Sequence, residues 1–269
     1  AGKDWKCALP AAAAVELIHN FSLIHDDIQD SSPTRRGRPT VWKIWGVPQA
    51  INAGDAMFTL AHMAVLDLEQ SVSPQVAIEG SKILQRACLL LTQGQYLDIS
   101  YEARGDLTQE AYWPMVRGKT AALLSACSEL GAVAAAVPIE VRAAYREFGL
   151  NLGLAFQAQD DLLGIWGDEA IIGKSTASDL ISGKKSLPVL YGLAQNGPFR
   201  NRWIQGSITP QEVPLLARQL VDEGARAYTQ NQADRLTKEA LAWLDKADPQ
   251  GEAGAALRDL ANKLLNRAM

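Results

Sequence analysis

Three carboxylates fall within five residues of this chain, in Leu23-Ile24-His25-Asp26-Asp27-Ile28-Gln29-Asp30. Asp26 and Asp30 are four apart, so on a helix they share one face, about 6 Å from each other. Two carboxylates at that spacing can hold a hard divalent cation through oxygen ligands. A second acidic pair closes the stretch Phe156-Gln157-Ala158-Gln159-Asp160-Asp161, with Gln157 one turn before Asp160. Each cluster is followed by cations: Arg35-Arg36-Gly37 after the first, Lys174 and Lys184-Lys185 after the second. Arginine forks match phosphate oxygens in a bidentate way, and lysine serves as a point charge. Any one of these side chains alone would be read as a solvated surface charge. Carboxylates followed by glycine-adjacent cations, twice in the same order, point instead to divalent ions and a phosphorylated substrate in a central cavity.

The elements that carry these residues are helical. Residues 9–30 form an apolar run in which charge is exceptional, and a helix apolar nearly all round belongs inside a bundle. Residues 31–40, SSPTRRGRPT, read as a loop. Further helices are predicted from Pro48 to Gln70 and from Val76 to Arg104, the latter carrying Gly94-Gln95-Tyr96-Leu97-Asp98. Thr108 offers a cap for a short helix; Lys119 to Val137 and Pro138 to Trp166 follow. A loop holds Gly164, Gly167, Gly173, Lys174 and Asp179. Ser186-Leu187-Pro188 looks like a cap with proline in the first turn. Amphipathic helices fill 209–222, 224–246 and 250–267. Period-2 alternation is lacking, so strands are incidental. The fold class is all-α, a many-helix bundle around a central cavity, with 1–269 as a single domain.

Composition narrows the function. The chain has 269 residues, 48% of them hydrophobic, and can bury a large core. A net charge of -4 argues against nucleic acid as a partner. Cys7, Cys88 and Cys127 are odd in number and scattered, which suggests reduced thiols in a cytoplasmic protein. Lacking an uncharged apolar run of about 18 residues, the chain is expected to have no membrane span. It opens with Ala close to a helix, and is read as lacking its N-terminal helix or helices.

The motifs in this order resemble the trans-isoprenyl diphosphate synthases, the family of farnesyl and geranylgeranyl diphosphate synthases. The resemblance rests on Leu23–Asp30 with Arg35-Arg36-Gly37, Gly94-Gln95-x-x-Asp98, Lys119-Thr120 and Phe156-Gln157-x-x-Asp160-Asp161. Gly173-Lys174, Asp179 and Lys184 complete it. It covers most of residues 8–195; the C-terminal third matches only in being helical. It implies the isoprenoid synthase fold and a Mg²⁺-dependent condensation of isopentenyl diphosphate with an allylic diphosphate.

The same resemblance implies roles. Asp26 and Asp30 would bind two Mg²⁺ ions and Asp160 a third, giving three ions. Arg35, Lys119, Lys174 and Lys184 would hold the allylic diphosphate. Arg36 and His19 would lie on the isopentenyl side. Thr120, Gln157, Gln95 and Asp98 would line the space between. Asp27, Asp161 and Asp179 would orient ligands. Phe21 and Ser22, one turn or so before Asp26, would set product length: Ser22 opens the path and Phe21 partly closes it. That pattern resembles C20 synthases, with C15 as runner-up. Members are homodimers, and the apolar stretch from Ile51 to Leu66 could supply such a face.

The chain departs from the family in three places. The Gly-Gly-Lys-Arg segment that helps bind isopentenyl diphosphate would lie upstream of residue 1. Gly164 stands where many members carry the third aspartate of the second motif. The C-terminus lacks a strongly basic tail. Two rivals stand beside the synthase. A class I terpene cyclase would want a hydroxyl and a glutamate where Gly164 and Asp168 stand. A non-catalytic partner subunit would give no reason to keep Asp26, Asp30, Arg35, Lys119 and Lys174.

Overall fold

The computed structural model describes residues 1–167 and 178–265. They group into two compact units, Ala1–Leu89 with Ala126–Ala143, and Leu90–Ser125 with Ala144 onward.

In the first unit a 3-10 turn, Trp5–Ala8, leads into helix α1 (Leu9–Gln29), with proline in its first turn. A two-residue pair of strands, β1 (Thr34–Arg35) and β2 (Arg38–Pro39), follows in antiparallel register, Arg35 opposite Arg38. Arg36 and Gly37 turn the chain with φ of 50° and 75°. Two consecutive left-handed residues are what a tight hairpin turn requires, and glycine takes one at no steric cost. Thr40 Oγ1 and Trp42 Nε1 both donate to the Ser32 carbonyl at 2.8 Å, pinning the loop beside helix α2 (Val41–Trp45). Helices α3 (Val47–Leu66) and α4 (Leu68–Ser71) come next. Helices α1 and α3 lie close because Gly54 has no side chain: a Cβ there would overlap the His25 ring. Ala14, Ile18, Ala50, Ala61, Val65 and Leu68 are fully buried.

Helix α5 (Pro74–Glu102) contributes to both units. The second unit continues with α6 (Gln109–Val116), a π-helical turn over Arg117–Ala121, then α7 (Ala122–Ala134) and α8 (Ile139–Trp166), both of which also contribute to the first. After these come α9 (Ser178–Ser182), α10 (Leu187–Ala194), α11 (Pro198–Trp203), α12 (Val213–Asp222), α13 (Ala225–Ala247) and α14 (Gly251–Leu265). Phe199, Leu180, Val189, Leu216 and Leu220 form one buried cluster here.

The helices expected from apolar periodicity are present, and the all-α class holds. The differences are local. The helix expected over Pro48–Gln70 ends at Leu66 and restarts at Leu68. Gly46, at φ +82°, separates α2 from α3. Helix α11 is too short to announce itself by periodicity; burial of Phe199 holds it rather than propensity. The hydroxyl of Ser186 does not cap α10, for a reason given below. The stretch Trp5–Gln29 contains an 18-residue window of mean hydropathy 1.5, so by length and composition it could cross a membrane. Glu16 interrupts it, which is why it is not an uncharged run.

Candidate active site

The C-terminal turns of α1 carry the first cluster. Asp27 is buried, and the Arg35 Nε donates to its Oδ1 at 2.8 Å. The same guanidinium reaches Asp26 Oδ2 more weakly, at 3.4 Å. Asp27 therefore holds Arg35 in place, while Asp26 is half-buried and Asp30 exposed at the end of the helix. Asp30 is also the C-terminal cap, its N–H donating to the Asp26 carbonyl at 2.8 Å. The structure thus brings Asp26, Asp27 and Arg35 together. Arg36 is exposed on the hairpin turn. His19 is half-buried two turns before Asp26, and its carbonyl accepts from the Ser22 hydroxyl at 2.8 Å. Phe21 packs edge-on against His25, centroids 4.9 Å apart, and against Phe58 of α3 at 5.0 Å. Phe58 escaped sequence reasoning because an aromatic in an apolar helix carries no local mark of its partner.

The second cluster is built around Asp161. Its side chain is buried, and it accepts four donors: Tyr112 Oη at 2.8 Å, Gln157 Nε2 at 3.0 Å, Lys184 Nζ at 3.4 Å and the Leu187 backbone N–H at 2.9 Å. The last contact explains the missing Ser186 cap. Asp161 takes the free N–H at the start of α10, where a carboxylate also suits the helix dipole. The Ser186 hydroxyl is left buried with no partner. Tyr112 was not anticipated; its only signal is an aromatic hydroxyl on a short helix, which burial obliges to find an acceptor. Burial and the charge of Asp161 hold its phenol well above the ordinary tyrosine range, so it stays a donor.

Gln157 and Lys184 contact Asp161 directly, and Thr120 reaches it through Gln157. Thr120 Oγ1 donates to Gln157 Oε1 at 2.9 Å, so Gln157 links Thr120 to Asp161. Lys119 pairs with Asp98. Both Lys119 and Thr120 lie in the π-helical turn, where α5 and that turn cross backbone to backbone. A Cβ at Gly94 would meet the Lys119 backbone, and one at Gly118 would meet the Leu90 carbonyl oxygen at 2.6 Å. Lys184 lies between Asp161 and Asp179, whose Oδ2 is 3.5 Å away. Burial alone would lower its pKa, but the charges of Asp161, Asp179 and Asp160 together raise it above the usual lysine value. Lys185 turns elsewhere, donating at 2.6 Å to the carbonyls of Tyr101 and Glu102 at the end of α5. Lys174 lies outside the described residues, as does Asp168.

The donor set suits a hard divalent cation. The described acidic side chains offer hard oxygen ligands, and Asp179 Oδ2 is buried without a hydrogen bond. Among the described residues no three His, Cys, Asp or Glu side chains converge closely enough to hold an ion unaided. Mg²⁺ commonly takes one or two carboxylates and completes its shell with water and phosphate oxygens, so this donor set fits it.

Acidic helix faces, each with a basic side chain fixed beside it, in an all-α chain define an isoprenoid-synthase type of protein. Comparisons with known proteins agree. The polyprenyl synthetase family model matches residues 1–213. A (2E,6E)-farnesyl diphosphate synthase of Mycobacterium tuberculosis is 40% identical over 275 residues, 99% of this chain and 76% of that relative. The crystal structure of a geranylgeranyl pyrophosphate synthetase from Pyrococcus horikoshii superposes with a TM-score of 0.92 at 34% identity, covering 99% of this chain and 82% of that one. A geranylgeranyl pyrophosphate synthase from Corynebacterium glutamicum, solved with isoprenyl diphosphate and magnesium, gives 0.86 at 30% identity, covering 99% and 81%. The chain belongs to the polyprenyl synthetase family and is a trans-prenyltransferase.

Proposed function

We propose that this protein condenses isopentenyl diphosphate with an allylic diphosphate, head to tail and in trans geometry, using Mg²⁺. The observation that carries this is the basic and acidic set among the described residues: Asp26 with Arg35 on Asp27, and Lys119, Thr120, Gln157 and Lys184 arranged around Asp98 and Asp161. Asp26 and Asp30 would hold two ions and Asp160 a third. When bound there, such ions would supply positive charge to the leaving diphosphate and so favour loss of the allylic C1–O bond.

The protein's own side chains do the rest. Arg35, Lys119, Lys174 and Lys184 bind the allylic diphosphate, and Arg36 with His19 serves the isopentenyl side. When C1–O breaks, the electron pair leaves with the diphosphate and an allylic cation remains. The isopentenyl double bond attacks that cation, a carbon–carbon bond forms, and a proton is lost, with the released diphosphate able to accept it. No serine or cysteine nucleophile is needed. Preorganised charge and exclusion of water provide the catalysis, because water would quench the cation.

The product we propose is C20, with Phe21 as partial floor beneath Asp26 and Ser22 leaving a path. The farnesyl diphosphate synthase relative, aligned over nearly the whole chain, favours C15 as the second reading. We also propose that residues 1–269 act as one catalytic domain, that the protein works in the cytoplasm, and that it is a homodimer. Incubation with Mg²⁺, isopentenyl diphosphate and, separately, dimethylallyl, geranyl and farnesyl diphosphate, followed by sizing of the products, tests the reading. C20 confirms it, and C15 keeps the enzyme but moves the floor. Chelation by EDTA abolishes turnover. A cyclic hydrocarbon formed from the allylic substrate alone would overturn condensation.

A further inference from the structure

The two acidic helix faces are built differently. On α1, two carboxylates stand four residues apart, Asp26 and Asp30. On α8 the residue four after Asp160 is Gly164, which has no side chain. That place is filled from another element. A Cβ at residue 164 would overlap the carboxylate of Asp179, which is carried by α9. The carboxylate of Asp179 therefore sits on the Asp160 face of α8, one turn further along, at the spacing that Asp26 and Asp30 reach within a single helix.

Its surroundings mark it as unfinished. Asp161 is saturated by Tyr112, Gln157, Lys184 and the Leu187 N–H. Asp179 Oδ2 is buried and accepts no hydrogen bond; among the described residues its ion-pair partner is the Lys184 ammonium, 3.5 Å away and shared with Asp161. Among the described residues, Asp160, Asp161 and Asp179 set three carboxylates around the Lys184 ammonium. A buried carboxylate oxygen left in this condition is costly unless a cation or its water completes it.

We propose that Asp179 supplies, through space, the second carboxylate of the α8 cation site, in the place a side chain at residue 164 would occupy, and that Gly164 is the notch that admits it. The proposal rests on the reading of this cluster as a divalent-cation site. Its rival is a purely structural role, in which Asp179 only neutralises Lys184. The rival affects substrate diphosphate binding, whereas the proposal affects metal affinity itself.

Mn²⁺ binding to the full chain, followed by paramagnetic resonance with and without inorganic diphosphate, separates the two. Asp179→Asn keeps the shape and removes the charge; it weakens Mn²⁺ binding about tenfold or more, as loss of a supporting carboxylate does. Gly164→Ala fills the notch, displaces the carboxylate and weakens binding in the same direction. The pair Gly164→Asp/Asp179→Gly puts the carboxylate on α8 itself and returns affinity close to the wild-type value. Circular dichroism confirms that each variant is folded, and if Gly164→Ala is not, Asp179→Asn and the paired variant decide. Wild-type affinity in Asp179→Asn overturns the proposal, as does a paired variant no better than Asp179→Asn. A wild-type protein that binds no Mn²⁺ even with diphosphate removes the cation-site reading and this inference with it. Wild-type binding that Asp179→Asn leaves untouched removes this inference alone.

Discussion

Asp27 decides where Arg35 points. The 2.8 Å bond from Arg35 Nε to Asp27 is the stronger of its two contacts, and the carboxylate is buried. Asp27→Asn weakens that hold and leaves the guanidinium to the Asp26 carboxylate, which is proposed to bind metal. The Arg35 side chain is 35% exposed, so water recovers part of the loss. The stability cost is therefore about 1–2 kcal/mol rather than the larger figure for a wholly buried pair. The functional effect is larger. The Mg²⁺ concentration for half-maximal rate and the KM for the allylic diphosphate both rise, about tenfold, because the released guanidinium competes for the Asp26 carboxylate and is no longer held for the diphosphate. Thermal melts and initial rates over a Mg²⁺ series measure both. An unchanged Mg²⁺ requirement would show that Arg35 does not depend on Asp27.

At the scale of elements, what positions Lys119 and Thr120 is the crossing of α5 over the π-helical turn. Gly94 and Gly118 meet there backbone to backbone, and a Cβ at Gly94 would lie 2.8 Å from the Lys119 Cα. A backbone contact cannot yield as a flexible side chain can. Gly94→Ala is expected to cost about 3 kcal/mol by overpacking, and to lower kcat by moving Lys119 and Thr120. Gly131→Ala, in α7 with nothing within 4 Å of the new methyl, is the control and stabilises by about 0.5–1 kcal/mol through helix propensity. Urea melts with kcat measurements distinguish the two, and equal stability would sink the crossing argument. This crossing also shows how far the sequence was legible. The long helices were readable because apolar periodicity and Gly or Pro punctuation mark α1, α5 and α8 directly. The class of chemistry was readable because the two acidic clusters, at Asp26–Asp30 and Asp160–Asp161, are charges in apolar runs of sequence that need a reason, and because the order of the motifs, Lys119-Thr120 among them, resembles a known family. Which atoms close on which was not readable. No pattern says that Asp161, rather than Ser186, caps α10, that Tyr112 completes Asp161, or that Arg117–Ala121 takes a π turn. Those follow from tertiary approach, which residue type and spacing do not record.

The whole molecule raises the question of what covers α3. Leu60, Met63 and Leu66 are spaced by three and are 50%, 60% and 49% exposed, with Ile51 on the same helix exposed as well. A stripe of that kind is a liability in an isolated chain and an asset in a symmetric pair. We expect the purified protein to run in light scattering at close to twice the chain mass of 29.1 kDa. In a two-fold interface each substitution appears twice, so Met63→Glu would place two carboxylates in one apolar contact. Neither has a partner, and burying an unpaired charge costs several kcal/mol. Met63→Glu is therefore expected to give a folded species at the single-chain mass, with the helical signal of circular dichroism retained. Met63→Leu, which keeps the apolar volume, retains the dimer. A wild-type chain already at the single-chain mass, or a Met63→Glu dimer of undiminished stability on dilution, would remove α3 as the face and leave its apolar stripe for another occupant.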